Sequence, residues 1–132
     1  MATNILSLDV GERRVGVAIA NVVARLPHPL TTLDNTEHIW QEIADLLAAE
    51  DVETLVVGLP RNLSGDDTAQ TTYVRDFAAK IEGVEIVFQD EALTSVKAEK
   101  ELSSRGKPFA KGDIDALAAT YILEDYLVTY KA

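Results

Sequence analysis

Three acidic residues stand where the hydrophobic pattern predicts buried or half-buried structure. Asp9 lies within the apolar run LSLDVGERRVGVAIAN, Glu91 closely follows the run VEIVF, and Asp115 lies at the start of the last helical pattern. A buried carboxylate is stable only when it is paired, hydrogen-bonded or bound to a cation. Three carboxylates that meet in one cleft could hold one or two Mg²⁺ or Mn²⁺ ions, which activate water for phosphoryl transfer.

Each of these acids also has a structural explanation. Asp9 can accept hydrogen bonds from the following turn, or it can pair with Arg13 or Arg14. Glu91 comes between a predicted strand and a predicted helix, and an acid in this position can instead stabilise the positive N-terminal end of the helix. Asp115 is harder to explain, because the residues three and four positions later on its predicted buried face are alanines. The pattern therefore favours a cation shared by the three acids.

The composition restricts the kinds of site that the chain can build. It contains no cysteine and two histidines, which excludes disulfides, a thiolate nucleophile and a Cys-rich zinc site. A metal would be held mainly by oxygen ligands, which favours Mg²⁺ or Mn²⁺. We expect the 132 residues to form a single domain, 1–132. The N-terminus lacks a signal-peptide pattern and no apolar run reaches membrane-spanning length, so we expect a cytoplasmic protein without membrane association.

Hydrophobic periodicity predicts nine elements in the order β-β-β-α-β-α-β-α-α. The predicted strands are Asn4–Val10, Val15–Ala20, an edge strand within Leu30–Leu33, Thr54–Gly58 and Val84–Phe88. The predicted helices are Asn35–Glu50, Asp67–Ile81, Thr94–Ser103 and Ile114–Tyr130, with Asn35 and Asp113 as caps. This order predicts an α/β fold with a five-stranded mixed sheet flanked by helices, and sites at the carboxyl ends of its strands.

Acidic and basic residues are unevenly distributed along the chain, so the net charge does not describe every surface of the protein. A formal charge of −10 argues against a nucleic-acid partner, because Lys and Arg drive phosphate binding. However, the segment Lys97–Lys111 holds five basic residues and two acidic ones. Together with Arg13, Arg14 and Arg61 it could form one basic face on an acidic protein. A solvated helix and loop is the simpler interpretation of the charge pattern alone.

Four segments carry a resemblance to a known family. LDVGERRVGVAIA, VVGLPRNLSG, DEALTSVKAEK and KGDIDALAATYILEDYL resemble, in order and spacing, the blocks of the YqgF/RuvX family of pre-16S rRNA nucleases. The resemblance covers nearly the whole chain, and the combination is far more specific than any single block. It implies an RNase H-like fold related to that of the Holliday junction resolvase RuvC.

The resemblance also implies an activity and a site. It implies a metal-dependent endonuclease that processes the 5′ end of precursor 16S rRNA in ribosome biogenesis, with cleavage of Holliday junctions or other structured DNA as the alternative. Its partners would be structured nucleic acid and ribosome-assembly particles. The matching residues are Asp9, Glu91 and Asp115 as catalytic metal ligands, and Arg13, Arg14, Arg61 and Lys111 as candidate phosphate contacts.

The chain departs from the family pattern at three positions. Ala92 stands where an arginine is usual, which removes one positive charge expected near the site, and Asn21 stands where an aspartate is common. Asp113 adds an acid near Lys111. None of these changes touches the proposed metal ligands.

Two further classes of function remain open from the residues. The hairpin DVGERRVGVA also resembles the phosphate loop of actin-like ATPases and sugar kinases. In those proteins the nucleotide lies between two such domains, and this chain has length for one. The other class is a non-catalytic ribosome-assembly or nucleic-acid-binding module, which predicts binding without metal-dependent turnover.

Overall fold

The structure, a computed structural model, describes residues 3–91, 94–106 and 109–130. Ala92 and Lys107 therefore lie outside the described residues. The strands are β1 (Asn4–Val10), β2 (Arg14–Asn21), β3 (His28–Asp34), β4 (Val52–Pro60) and β5 (Glu85–Glu91). The helices are α1 (Ile39–Ala49), α2 (Ala69–Ala78), α3 (Thr94–Ser104) and α4 (Lys111–Thr129).

The strands form one mixed sheet in the order β3-β2-β1-β4-β5. Strand β1 is antiparallel to β2 and parallel to β4, and β4 is parallel to β5. The predicted five-stranded mixed sheet and the edge position of β3 are confirmed. Because β1, β4 and β5 run in the same direction, their carboxyl ends meet at one edge of the sheet.

Alternation along β1 separates two cores. Leu6 and Leu8 belong to the core that includes residues of α1 and α2, whereas Ile5 packs with residues of α4 on the other face. On that second face Ser7 Oγ donates a hydrogen bond of 2.6 Å to the Ala119 carbonyl. Asp9 shares this face by the two-residue period of a strand, so helix α4 covers it.

Helix α4 lies between the sheet and α3. Ala119 and Ile122 pack on the sheet, and Leu117 and Ala118 pack with Ala98 and other residues of α3. The predicted buried face of α4 is therefore shared between two neighbours, since Ala119 packs on the sheet and Ala118 packs on α3. A helix buried on two sides is apolar around much of its circumference. No helix in the described ranges is both long enough and apolar enough to cross a bilayer.

Neither predicted cap occupies the cap position. Helix α1 begins at Ile39, after His38, while Asn35 Nδ2 donates to the Gly11 carbonyl at 2.8 Å and to the Tyr73 hydroxyl at 2.9 Å. Strand β3 continues to Asp34, so the chain needs a turn before the helix can start. Asn35 therefore fastens the turn between β1 and β2.

Helix α4 begins at Lys111, earlier than predicted. Asp113 therefore lies inside the first turn, where its Oδ2 accepts a hydrogen bond of 2.9 Å from the Ala110 N–H. Asp115 in turn lies one turn inside the helix instead of at its start. Its side chain consequently projects from a regular part of α4 toward the sheet edge.

Candidate active site

The three predicted acids line one cleft at the carboxyl edge of the sheet. Asp9 lies near the end of β1, Glu91 ends β5, and Asp115 comes from α4; the remaining lining residues are Val10, Gly11, Pro60 and Gln70. The cleft encloses about 230 Å³. Strand β5 runs past the predicted end at Phe88, so Glu91 is held in the sheet opposite Pro60 of β4.

Strand geometry distinguishes the two neighbouring acids of β5. Glu91 lines the cleft, whereas Asp90 points away from it and pairs with Arg61, with 3.2 Å between Arg61 Nη1 and Asp90 Oδ1. Successive side chains of a strand point to opposite faces, which explains the difference. The structure thus places in the cleft the acid that the sequence analysis selected.

Gly16 lets the helix carrying Asp115 approach Asp9. Gly16 pairs with Asp9 across β1 and β2. A Cβ atom on Gly16 would lie 2.8 Å from the Ala116 backbone nitrogen and closer still to the Asp115 carbonyl. Helix and sheet can approach this closely only because the strand has no side chain here.

A second glycine makes room for Glu91. A Cβ atom on Gly58 would lie 3.1 Å from Glu91 Oε2 and would collide with the side chain of Ile122. Both glycines belong to segments used for the family resemblance, but the sequence analysis assigned neither a role. The signal was a glycine inside an otherwise apolar strand, which indicates a close approach by another part of the chain.

The electrostatics of the cleft centre on Asp9. Burial of Asp9, the nearby charge of Glu91, a hydrogen bond with Glu91 and the charge of Asp115 raise the pKa of Asp9 well above its usual 3.8. Burial makes the largest contribution. A carboxylate in this position is stabilised by added positive charge, so the site favours a cation.

Asp115 has a partner that the helix spacing did not reveal. Arg14 Nε donates to Asp115 Oδ2 at 2.5 Å. The sequence analysis expected a shared cation as the partner of Asp115, and it considered Arg14 as a partner for Asp9 or for phosphate. Arg14 begins β2, so the pairing depends on the contact between β2 and α4 and not on spacing within α4.

The carboxylate oxygens of the cleft are suitable ligands for a hard divalent cation, whereas the side-chain positions do not form a complete metal site. Asp9 and Glu91 share a hydrogen bond, and Asp115 lines the same cleft. In the part of the chain that the structure describes, no three Asp, Glu or His side chains are positioned to hold a metal ion directly. Carboxylate oxygens are nevertheless the ligands that Mg²⁺ and Mn²⁺ prefer.

The predicted phosphate contacts come from different parts of the chain. Arg61 pairs with Asp90 and, through Nε, with Asp67 at 3.1 Å. Arg13 is exposed in the turn after β1, and Lys111 is exposed at the first residue of α4. The four basic residues therefore occupy different elements around the cleft, and two of them already have acidic partners.

Gln70 is a cleft residue that the sequence analysis missed. It lies in the first turn of α2, where Thr68 accepts a hydrogen bond from the Thr71 N–H at 3.4 Å. The Thr71 hydroxyl donates to the Pro60 carbonyl, which ties the start of α2 to the end of β4. A glutamine among polar residues at a helix start carries no distinctive signal in the sequence.

Comparison with known proteins supports the resemblance. The family model described as "RuvX: Holliday junction resolvase" matches residues 3–129. A relative from Sulfurihydrogenibium sp. (strain YO3AOP1) is 35% identical over 130 residues, which cover 95% of this chain and 90% of the relative. One from Chloroflexus aggregans is 44% identical over 130 residues, covering 93% and 92% of the two chains. Both bear the name "Putative pre-16S rRNA nuclease".

Solved structures share the fold at low sequence identity. Thermus thermophilus RuvC in complex with a Holliday junction substrate superposes with a TM-score of 0.56 and 15% identity, over 98% of each chain. The fowlpox virus Holliday junction resolvase gives a TM-score of 0.53 and 12% identity, over 96% of this chain and 99% of that one. The fold is therefore RuvC-like and RNase H-like, and the chain belongs to the RuvX family.

Proposed function

We propose that the protein is a metal-dependent endonuclease that processes the 5′ end of precursor 16S rRNA during ribosome biogenesis. The observation that supports this most directly is the position of Asp9, Glu91 and Asp115 in one cleft at the carboxyl edge of the sheet. The names of the RuvX-family relatives support the RNA substrate. Mg²⁺ or Mn²⁺ is the proposed cofactor, held by these three carboxylates.

The cation and the protein would each contribute part of the chemistry proposed for the cleft. A bound divalent cation would lower the pKa of a water molecule and neutralise charge on the scissile phosphate. Asp9 and Glu91 would provide its oxygen ligands from the sheet, and Asp115 would provide one from α4. Attack of this water on the phosphorus, with cleavage of the bond from phosphorus to the 3′ oxygen and protonation of that oxygen, would leave a 5′-phosphate and a 3′-hydroxyl.

Neutral and positive groups at the cleft can orient the substrate. The Gln70 side chain offers amide N–H donors, and the start of α2 adds the positive end of a helix dipole. Arg14 brings a guanidinium group beside Asp115. These groups can hold the phosphodiester against the carboxylates, which would otherwise repel it.

Cleavage of two labelled substrates tests the proposal. Purified wild-type protein and Asp9→Asn are incubated with Mg²⁺ or Mn²⁺ and either a precursor 16S rRNA 5′-leader model or a four-way DNA junction. We expect the wild type to cut the RNA and Asp9→Asn to fold but to cut neither substrate. Full activity in Asp9→Asn would remove the proposed role of the carboxylate cluster.

A structured-DNA resolvase is the second candidate. The description of the matching family model, "Holliday junction resolvase", favours it. Preferential cutting of the four-way junction by the wild type would support this function over RNA processing. Binding of either substrate without metal-dependent cleavage would instead support a non-catalytic nucleic-acid-binding or ribosome-assembly module.

A further inference from the structure

The ion pair between Arg14 and Asp115 differs from other arginine pairs of the described residues. It joins residues 101 positions apart, and the exposed side-chain fractions are 32% for Arg14 and 19% for Asp115. By comparison, the acid is 55% exposed in the pair of Arg61 with Asp67. Because water screens exposed pairs, the pair at the cleft is the stronger electrostatic interaction.

This ion pair places a positive charge where the proposed cation would also act. Asp115 contributes to the raised pKa of Asp9, so the two carboxylates sense each other's charge. Arg14 offsets part of the negative charge of the cleft through Asp115 Oδ2. A cation coordinated by the same oxygen has to share it with Nε or displace the guanidinium.

The Arg14 guanidinium is accessible enough to meet a substrate. Its contact with Asp115 uses Nε, and 32% of the Arg14 side chain is exposed. Two N–H groups of an arginine can bind two oxygens of one phosphate. The same side chain can therefore interact with Asp115 in the free protein and with a phosphodiester in a complex.

We infer that Arg14 competes with the divalent cation for Asp115, and that a substrate phosphate relieves this competition by binding the guanidinium. The inference rests on the metal site of the proposed function. It makes nucleic acid and cation bind cooperatively, and linkage requires each to increase the affinity of the other by the same factor. Full metal binding at the cleft would then occur mainly when a substrate is present.

Manganese binding without nucleic acid tests the competition. The affinity for Mn²⁺ is measured by electron paramagnetic resonance of the free ion for wild type, Arg14→Gln and Arg13→Gln. We expect Arg14→Gln to bind Mn²⁺ about fivefold or more tightly than wild type. Arg13→Gln removes the same charge from an exposed neighbour and should change the affinity little. Unchanged or weaker binding by Arg14→Gln, or equal tightening in both variants, would overturn the inference.

A double-mutant cycle separates the contact with Asp115 from a general charge effect. In an Asp115→Asn background, Arg14→Gln should no longer tighten Mn²⁺ binding, because the contested carboxylate is absent. Persistence of the full effect would contradict competition at Asp115. If Arg14→Gln does not fold, Arg14→Lys replaces it in the test. Lysine keeps the positive charge but lacks Nε, so Arg14→Lys should also bind Mn²⁺ more tightly than wild type, by a smaller factor. An Mn²⁺ affinity of Arg14→Lys equal to that of wild type would count against the inference.

Nucleic-acid binding tests the cooperativity. Fluorescence anisotropy of the labelled RNA leader model is measured at 4 °C with and without Mn²⁺, and gels verify that the strand stays intact. Added Mn²⁺ should increase the affinity for RNA by a larger factor in wild type than in Arg14→Gln. An equal increase in both proteins would overturn the proposed cooperativity between cation and nucleic acid. Absence of cleavage under any condition would contradict the proposed function, whereas the manganese titrations decide the competition independently.

Discussion

Gly16 of β2 lies directly against the backbone of Asp115 in α4. A side chain on Gly16 would collide with the Asp115 carbonyl and the Ala116 nitrogen, and Gly16 is also the strand partner of Asp9. The approach of helix to sheet at this glycine therefore sets how close two of the three carboxylates can be. It connects an unremarkable glycine of the hairpin sequence with the geometry of the candidate active site.

Gly16→Ala should destabilise the protein and impair the site together. The added Cβ meets backbone and not a flexible side chain, so α4 must shift, at a cost of about 1–3 kcal/mol. Urea unfolding measures the loss. Gly112→Ala is the matched control, because its Cβ would lie at an ordinary 3.6 Å from Thr32. If Gly16→Ala is no less stable than Gly112→Ala, the proposed packing role of Gly16 is wrong.

Asp9→Asn should stabilise the metal-free protein. The pKa of Asp9 is raised above 3.8 by burial and by its acidic neighbours, so ionising Asp9 costs folded-state stability as the pH rises. In the presence of a metal chelator, Asp9→Asn should exceed wild type in free energy of unfolding by little near pH 4 and by about 1 kcal/mol at neutral pH. Denaturant unfolding across that pH range measures it. If the stability difference between Asp9→Asn and wild type is absent or decreases as the pH rises, ionisation of Asp9 is not unfavourable in the folded protein.

Asn35→Ala should loosen the turn between β1 and β2. The variant loses hydrogen bonds from the side-chain amide to the Gly11 carbonyl and the Tyr73 hydroxyl, so we expect a loss of about 1–2 kcal/mol in the free energy of unfolding. Tyr73→Phe removes only the second bond and should cost less. Thermal or urea unfolding of the two variants provides the comparison. Equal stability of Asn35→Ala and wild type would exclude the anchoring role of Asn35.

Gln70→Ala should weaken substrate binding with little effect on folding. Gln70 lines the cleft from the first turn of α2, where its amide can donate to a phosphate oxygen. Loss of one hydrogen bond to a charged group corresponds to roughly a tenfold or greater loss of affinity. Gln70→Glu places a further acid beside the carboxylates and should bind still more weakly. Affinities for the RNA leader model that match wild type in both variants would show that Gln70 does not contact the substrate.

Several features of this protein follow from local patterns in the sequence. Strand β1 was predicted with its observed bounds, and the order of all the strands and helices was correct, because apolar periodicity reflects which side of each element is buried. The family resemblance was confirmed by the match over residues 3–129. Asp9, Glu91 and Asp115 could be selected because each acid interrupts or borders a pattern typical of buried structure.

The end of β5 and the start of α1 were misplaced because local propensity was overridden by tertiary contacts. Asp90 and Glu91 have low preference for strands, yet pairing with Leu59 and Pro60 of β4 keeps them in the sheet. Asn35 has high preference for a helix cap, yet its side chain fastens a distant turn instead. In each case the hydrogen-bond partner lies far away in the sequence.

The sequence by itself determined the α/β class, the element order and the identity of the three candidate acids, since apolar periodicity encodes them locally. The family followed from the resemblance of four sequence blocks to those of known proteins. Tertiary structure decided that Gln70 joins the three acids in the cleft and that Arg14 pairs with Asp115. These outcomes depend on strand register and on the close approach of α4 to β2. Such contacts join residues as far as 101 positions apart, a separation at which local spacing carries no information about pairing.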